Sequence, residues 1–206
     1  ANTLKTYIQG TASVVESGLG YRALSFPWIT GSYFEFGANS PAHFDTRSST
    51  LFMEAWIYSP AATGNGTNQM ICAITDASSS DWNCFIGTDN VVHFGYWAPT
   101  YNDVKTGTIS YGVWNHVAIS WNPSTLNQYI FLNGSVSGPT TRTATGVYTP
   151  TRTFRIGSET TDSAFNGYIR DLRVIQGATV PTTSFTPDSK LWVAGSIPTY
   201  VTGGTN

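Results

Sequence analysis

The sequence predicts an antiparallel β-sandwich, and three observations carry that prediction. Stretch after stretch alternates its side chains with a period of two. Turn-forming Gly, Pro, Asn, Asp and Ser separate those stretches. No segment of helical length keeps an apolar stripe of period 3.6, so the layers must be sheets.

The elements follow in chain order. Residues 1–20, "ANTLKTYIQGTASVVESGLG", read as an N-terminal arm or first strand. In "LFMEAWIY" (51–58), Leu51, Met53, Ala55 and Ile57 alternate with Phe52, Glu54, Trp56 and Tyr58. Large residues on both sides suit a strand covered on both faces. Cys72 and Cys84 flank "AITDASSSDWN", and a hairpin turning around Asp76 to Asp81 sets them nearly opposite. Facing strand positions can satisfy disulfide geometry, especially at a non-hydrogen-bonded pair. Two buried thiols are the other reading and the preferred one, because free Cys is commonly buried. "VVHFGYW" (91–97) is a strand with Phe94 inward, joined by Tyr96 or His93, and Pro99 takes the chain out of the sheet. "WNHVAISW" (114–121) alternates Trp114, His116, Ala118 and Ser120 against Asn115, Val117, Ile119 and Trp121. "NQYIFLNGS" runs into Asn133-Gly134, the strongest short hairpin signal, since both turn positions need positive φ. "TFRIGS" and "YIRDLRVI" are two further strands. The sandwich domain therefore spans 21–190, and residues 191–206 read as an extended C-terminal tail, ordered only where it docks.

Composition narrows the function classes. The 206 residues suit one large domain. Charged residues make up 11% of the chain, against an average of about 25%, and Ser and Thr fill the gap. A net charge of −2 with no basic run leaves nothing to displace counterions from a nucleic acid. No run of 18 apolar residues spans a membrane, and "ANTLKTYIQG" lacks the apolar centre of a signal peptide.

Three stretches carry a family resemblance. They are "SYFEFG" followed by "LFMEAWIYSP"; "YGVWNHVAISWNPSTLNQYIFLNGS", with its Trp-x-His-Val-Ala strand and Tyr-x-x-Asn-Gly hairpin; and "FRIGSETTDSAFNGYIRDLRVIQGA". In this order, over residues 21 to 178, they resemble the laminin G-like branch of the concanavalin A-like lectin/glucanase superfamily. The resemblance implies a jelly-roll sandwich of two curved antiparallel sheets. It implies packing roles for Trp114, Val117, Ile119, Tyr129, Phe131, Ile156, Leu172 and Val174, and backbone roles for Gly134 and Gly167. Arg170 departs from it, standing where many relatives carry an acid. The close "GATVPTTSFTPDSKLW" looks like the Phe-Thr-Pro endings of phage and large-virus structural proteins.

Catalysis finds little support. Glucanases of that superfamily resemble one another in a strand of the E-x-D-x-E kind, and a retaining glycosidase sets two carboxyls about 5–5.5 Å apart. Here Glu54 and Glu35 each lack an acidic partner two residues away. His43, His93 and His116 form no H-x-x-x-H or H-E-x-x-H pattern. His116 occupies a scaffold position of the resembled family. Asp45, Asp76, Asp81, Asp103 and Asp162 could offer oxygens to Ca²⁺, but Asp is also a preferred turn former, and neither metal nor cofactor is expected. Asn65 and Asn133 fit a glycosylation sequon, and at Asn133 the hairpin already explains the sequence.

The expected ligand site lies in "HFGYWAPTYND". Trp97, Tyr101, Asn102 and Asp103 fall where a strand ends and a loop begins. Rings flanked by amide and carboxylate groups suit a sugar, whose C–H faces stack while its hydroxyls are fixed by polar groups. The expectation is a non-enzymatic virion component, capsid-surface or tail, that binds other virion proteins or copies of itself and can engage host glycans. The alternative is a secreted or cell-surface carbohydrate-binding module.

Overall fold

The computed structural model describes residues 6–9, 12–17, 21–29, 31–36, 45–62, 66–76, 80–97, 101–145, 149, 151–159, 163–189 and 199–202. It is all-β, with no helix among the described residues. The strands are β1 (Thr6–Gln9), β2 (Ser13–Ser17), β3 (Tyr21–Pro27), β4 (Tyr33–Phe36), β5 (Leu51–Tyr58), β6 (Gln69–Thr75), β7 (Ser80–Ile86), β8 (Val91–Trp97), β9 (Tyr101–Thr108), β10 (Trp114–Asn122), β11 (Asn127–Leu132), β12 (Ser135–Thr141), β13 (Thr153–Ile156) and β14 (Asn166–Gln176). They form two 7-stranded antiparallel sheets, β1-β4-β13-β6-β7-β8-β9 and β12-β11-β10-β5-β14-β3-β2. The N-terminal stretch read as an arm or first strand contributes β1 to the first sheet and β2 to the second.

Alternation decides what lies between the sheets. Met53, Ala55 and Ile57 of β5 and Val117, Ile119 and Trp121 of β10 meet Trp82, Cys84, Phe94 and Tyr96 of the first sheet in one buried core. Phe26 packs edge-on to Phe34 and Phe165, with centroids 5.7 and 6.0 Å apart. The Trp121 indole N–H donates to the Thr46 carbonyl at 2.6 Å, so the buried donor is satisfied. Of the packing roles implied by the resemblance, Val117, Ile119 and Ile156 lie in this core, with Leu172 and Val174 against it. Trp114 does not; it stands half-buried on the outer face of the second sheet, as described below. His93 points outward, because alternation places Phe94 and Tyr96 on opposite faces from it.

A second apolar cluster lies on the outside of the second sheet. Phe52, Ala118, Phe131 and Ile175 are covered there by Ala178, Val180, Phe185, Tyr200 and Val201. Large residues on both sides of "LFMEAWIY" are thereby explained: one side faces the other sheet and the other faces the closing segment. Polar contacts seat that segment, with Thr50 Oγ1 donating to the Ala178 carbonyl at 2.6 Å and Ser120 Oγ to that of Pro181 at 2.6 Å. Of the predicted tail, 191–198 and 203–206 lie outside the described residues, while Thr202 bridges Thr179.

The Asn133-Gly134 turn joins β11 to β12 with φ of 51° and 81°. The Asn133 side chain accepts from the His116 N–H at 2.8 Å, a turn-fixing role. Asn65 lies outside the described residues.

Cys72 and Cys84 are direct cross-strand partners and both are free and buried. Burial pushes both thiols well above their ordinary pKa, and the Cys84 charge adds to the effect at Cys72. Reaction needs the thiolate. A chromogenic disulfide reagent is therefore expected to leave the native protein unmodified and to titrate both thiols after unfolding. Rapid modification of native protein would contradict this placement.

Candidate functional site

Within "HFGYWAPTYND", residues 93–97 and 101–103 are strand, and residues 98–100 lie outside the described residues. Trp97 closes β8 and Tyr101–Asp103 open β9, paired as Trp97↔Tyr101, Tyr96↔Asn102 and Gly95↔Asp103. The Trp97 side chain lies outside what is described. Alternation turns Asn102 to the same side as Tyr96, away from Tyr101 and Asp103. Tyr101 lies over Gly95 so closely that a Cβ there would come within 2.0 Å of its hydroxyl oxygen. Its hydroxyl donates to Asn83 Oδ1 at 3.2 Å. Burial, with the Asp103 and Glu159 charges, holds the phenol above its ordinary pKa. Asp103 meets His93 Nδ1 at 2.6 Å, Asp89 meets His93 Nε2 at 2.9 Å, and the imidazole stacks on Phe85 at 4.7 Å. His93 holds the Asp89 carboxyl below its usual range. Tyr101 and Asp103 thus share a face, but each is already engaged within the protein.

A different set of rings converges on the outer face of the second sheet. The register aligns Ser25, Tyr168, Tyr58 and Trp114 in one row across β3, β14, β5 and β10. Tyr58 lies 5.9 Å from Tyr168 and 5.7 Å from Trp114, centroid to centroid, in tilted geometry. Beside the two tyrosines opens a pocket of about 500 Å³, lined also by Ser25, Pro27, Pro60 and Asn166. The hydroxyls of Tyr58, Tyr168 and Ser25 and the Asn166 side-chain amide make no hydrogen bond among the described residues. Gly167 sets the depth of the row: with φ of 127°, a Cβ would stand 2.0 Å from the Tyr58 carbonyl oxygen. Arg170 is held against Trp56 and Trp114, its guanidinium carbon 5.0 and 4.9 Å from the ring centroids, and pairs with Asp171. This row combines apolar rings, hydroxyls and an amide with an open pocket.

A family model described as the concanavalin A-like lectin/glucanases superfamily, Laminin_G_3, matches residues 29–183. The chain belongs to this superfamily. Among solved structures it is similar to domain 4 of AbnA, an extracellular arabinanase from Geobacillus stearothermophilus, in complex with arabinotriose. That match has 19% identity and a TM-score of 0.60, covering 82% of this chain and 76% of that one. It is similar to botulinum neurotoxin type C, whose cell entry depends on interaction with two ganglioside molecules, at 17% identity and a TM-score of 0.62. There 83% of this chain covers 42% of the neurotoxin chain. A heptameric SAP-like pentraxin from Limulus polyphemus shares 17% identity at a TM-score of 0.52, with 73% of each chain covered. No curated protein matches the chain in sequence.

A superfamily that includes glucanases directs attention to Glu54, and its surroundings are those of a structural acid. Glu54 is 1% exposed. It accepts from Arg173 Nε at 2.9 Å and from the Tyr200 hydroxyl at 2.6 Å, with His116 Nε2 at 3.1 Å. A carboxylate so enclosed has no free approach for a glycosidic oxygen. Glu35 is likewise taken up, by Arg155 Nε at 2.7 Å and Thr153 Oγ1 at 3.1 Å. The loop acids weighed as calcium donors also have partners: Asp45 has Arg47, Asp76 and Asp81 share Arg152, and Asp103 has His93. Asp162 and His43 lie outside the described residues. Among the described residues no group of three or more His, Cys, Asp or Glu could hold a metal. Among the described residues no helix is long and apolar enough to cross a membrane.

The row escaped the sequence reading for a definite reason. Tyr58, Trp114 and Tyr168 sit far apart in the chain, and only strand register brings them side by side.

Proposed function

We propose that this domain is a non-catalytic glycan-binding module and that the Tyr168–Tyr58–Trp114 row is its binding face. The observation that carries this is the pocket of about 500 Å³ beside two tyrosines whose hydroxyls have no partner among the described residues. Sugar C–H faces stack on tilted rings, and the tyrosine hydroxyls with Asn166 and Ser25 supply donors and acceptors that fix orientation. A chain with 11% charged residues suits a neutral oligosaccharide. Solved structures of similar fold, one in complex with arabinotriose and one of a toxin whose cell entry depends on gangliosides, support glycans as the ligand class, and of the two arabinotriose is the neutral one.

The Trp97, Tyr101, Asn102 and Asp103 edge is the competing binding face, and paired variants separate the two. Binding hits from a glycan array are measured by calorimetry for wild type, Tyr58→Ala/Tyr168→Ala and Trp97→Ala/Tyr101→Ala. The first double variant is expected to weaken binding at least about tenfold while staying folded, and the second to leave it unchanged. The reverse pattern moves the site to the β8–β9 edge, and no binding by wild type removes the glycan reading.

The closing Ala178 to Pro187 sequence supports a finer placement, in which the module is displayed on a virion beside other virion proteins or copies of itself. The alternative is a secreted or cell-surface lectin-like protein. Mass spectrometry of purified particles decides: absence from them leaves the secreted placement.

A further inference from the structure

Arg142 follows β12 directly and turns into the interior where β11 and β12 approach β8 and β9 of the other sheet. Its N–H donates to the Leu126 carbonyl at 2.7 Å, which fixes the backbone. The residue is 2% exposed. Its guanidinium carbon lies 3.8 Å from the Tyr96 ring centroid, 4.0 Å from that of Trp121 and 5.0 Å from that of Phe94. Nε donates to Gln128 Oε1 at 2.8 Å.

The remaining donors of this cluster are unmet. Nη1 and Nη2 are both buried and have no hydrogen-bond partner among the described residues, and the same holds for Gln128 Nε2 and the Tyr96 hydroxyl. No carboxylate is paired with Arg142 among the described residues. Burial lowers the guanidinium pKa to about 9, which leaves it charged at neutral pH. Ring faces offset part of the desolvation of a cation, but they accept nothing from the in-plane N–H groups. A buried charge without a counter-charge is among the least favourable arrangements a fold can hold. Water would meet individual N–H groups and leave the charge uncompensated, whereas a small anion does both.

We propose that Arg142 Nη1 and Nη2, with Gln128 Nε2 and the Tyr96 hydroxyl, bind a small monovalent anion, a halide or a formate-sized carboxylate, inside the edge of the sandwich. This site is separate from the aromatic row, and either can fail without the other. The test starts from protein dialysed into sodium gluconate. Sodium bromide or sodium formate is then titrated at constant ionic strength while the melting temperature is followed. A saturable rise is expected, roughly 5–10 °C at about 100-fold excess over Kd. The two salts distinguish halide from carboxylate. Crystals in bromide should show an anomalous peak against Nη1 and Nη2 of Arg142. Arg142→Gln should lose the anion-dependent rise; if that variant does not fold, the bromide peak in wild type decides. A flat melting temperature, a rise kept by Arg142→Gln, or bromide absent from Arg142 overturns the proposal.

Discussion

Replacing Glu54 with alanine is expected to remove about 3–5 kcal/mol of folding stability, the usual cost of taking one partner from a buried ionic network. Arg173 and His116 would remain enclosed without their acid, and the Tyr200 hydroxyl would lose its acceptor. The network also ties distant parts of the chain together: Glu54 lies on β5, His116 on β10, Arg173 on β14 and Tyr200 in the closing segment. In a domain of this size the loss corresponds to a fall of roughly 6–20 °C in melting temperature. Glu54→Gln keeps the shape and an acceptor oxygen, so it should fall between alanine and wild type. Tyr200→Phe removes one hydrogen bond and should cost about 1–2 kcal/mol. Urea unfolding of the three variants gives the series. A Glu54→Ala loss below about 1 kcal/mol, the range of exposed pairs, would mean that the acid is open to solvent. It would also reopen the case for Glu54 as a general acid.

The same acid shows where sequence reading stops. Alternation placed Glu54 on one side of its strand with Phe52, Trp56 and Tyr58, and the structure keeps that pattern. What sequence could not show is that the closing segment covers this side. "YIRDLRVI" adds a second obstacle. Read with an unbroken period of two, Ile169, Asp171, Arg173 and Ile175 share a face. The β14–β5 pairing instead shifts register between Arg170 and Arg173, with Asp171 at φ 53°. That bulge reverses the alternation, so Ile169 enters the core while Arg173 meets Glu54 outside. The Asn-Gly hairpin was legible because its turn chemistry is local. At the β8–β9 edge the residue types suggested a sugar site, but His93 and Asn83, which occupy Asp103 and Tyr101, come into range only through pairing. The aromatic row is likewise a product of register.

Gly134→Ala is expected to cost about 2–5 kcal/mol, far more than an exposed turn substitution should. Part of the cost is local, since an L-residue at φ of 81° is strained by about 1–2 kcal/mol. The rest comes from the closing segment. A Cβ at this position would stand 1.9 Å from the Phe185 carbonyl oxygen and 2.8 Å from Pro187 Cδ. Backbone cannot rotate away as a flexible side chain does, and overpacking of this kind adds about 1–3 kcal/mol. The same contact holds a hydrogen bond, in which the Phe185 N–H donates to the Gly134 carbonyl at 3.0 Å. Lifting Phe185 also breaks its 4.1 Å stack on Tyr200 and its contact with Phe131 at 5.0 Å. That would uncover Phe52, Ala118 and Phe131 and increase binding of an apolar dye. Gly112→Ala supplies the control: its φ is 72°, but nothing lies within 4 Å of the added methyl. Subtracting its cost from that of Gly134→Ala isolates the clash with the closing segment. Equal costs for the two variants, with no gain in dye binding or in protease cleavage after Gly177, would mean that Phe185 is not seated on the hairpin. The outer face of the second sheet would then need another cover.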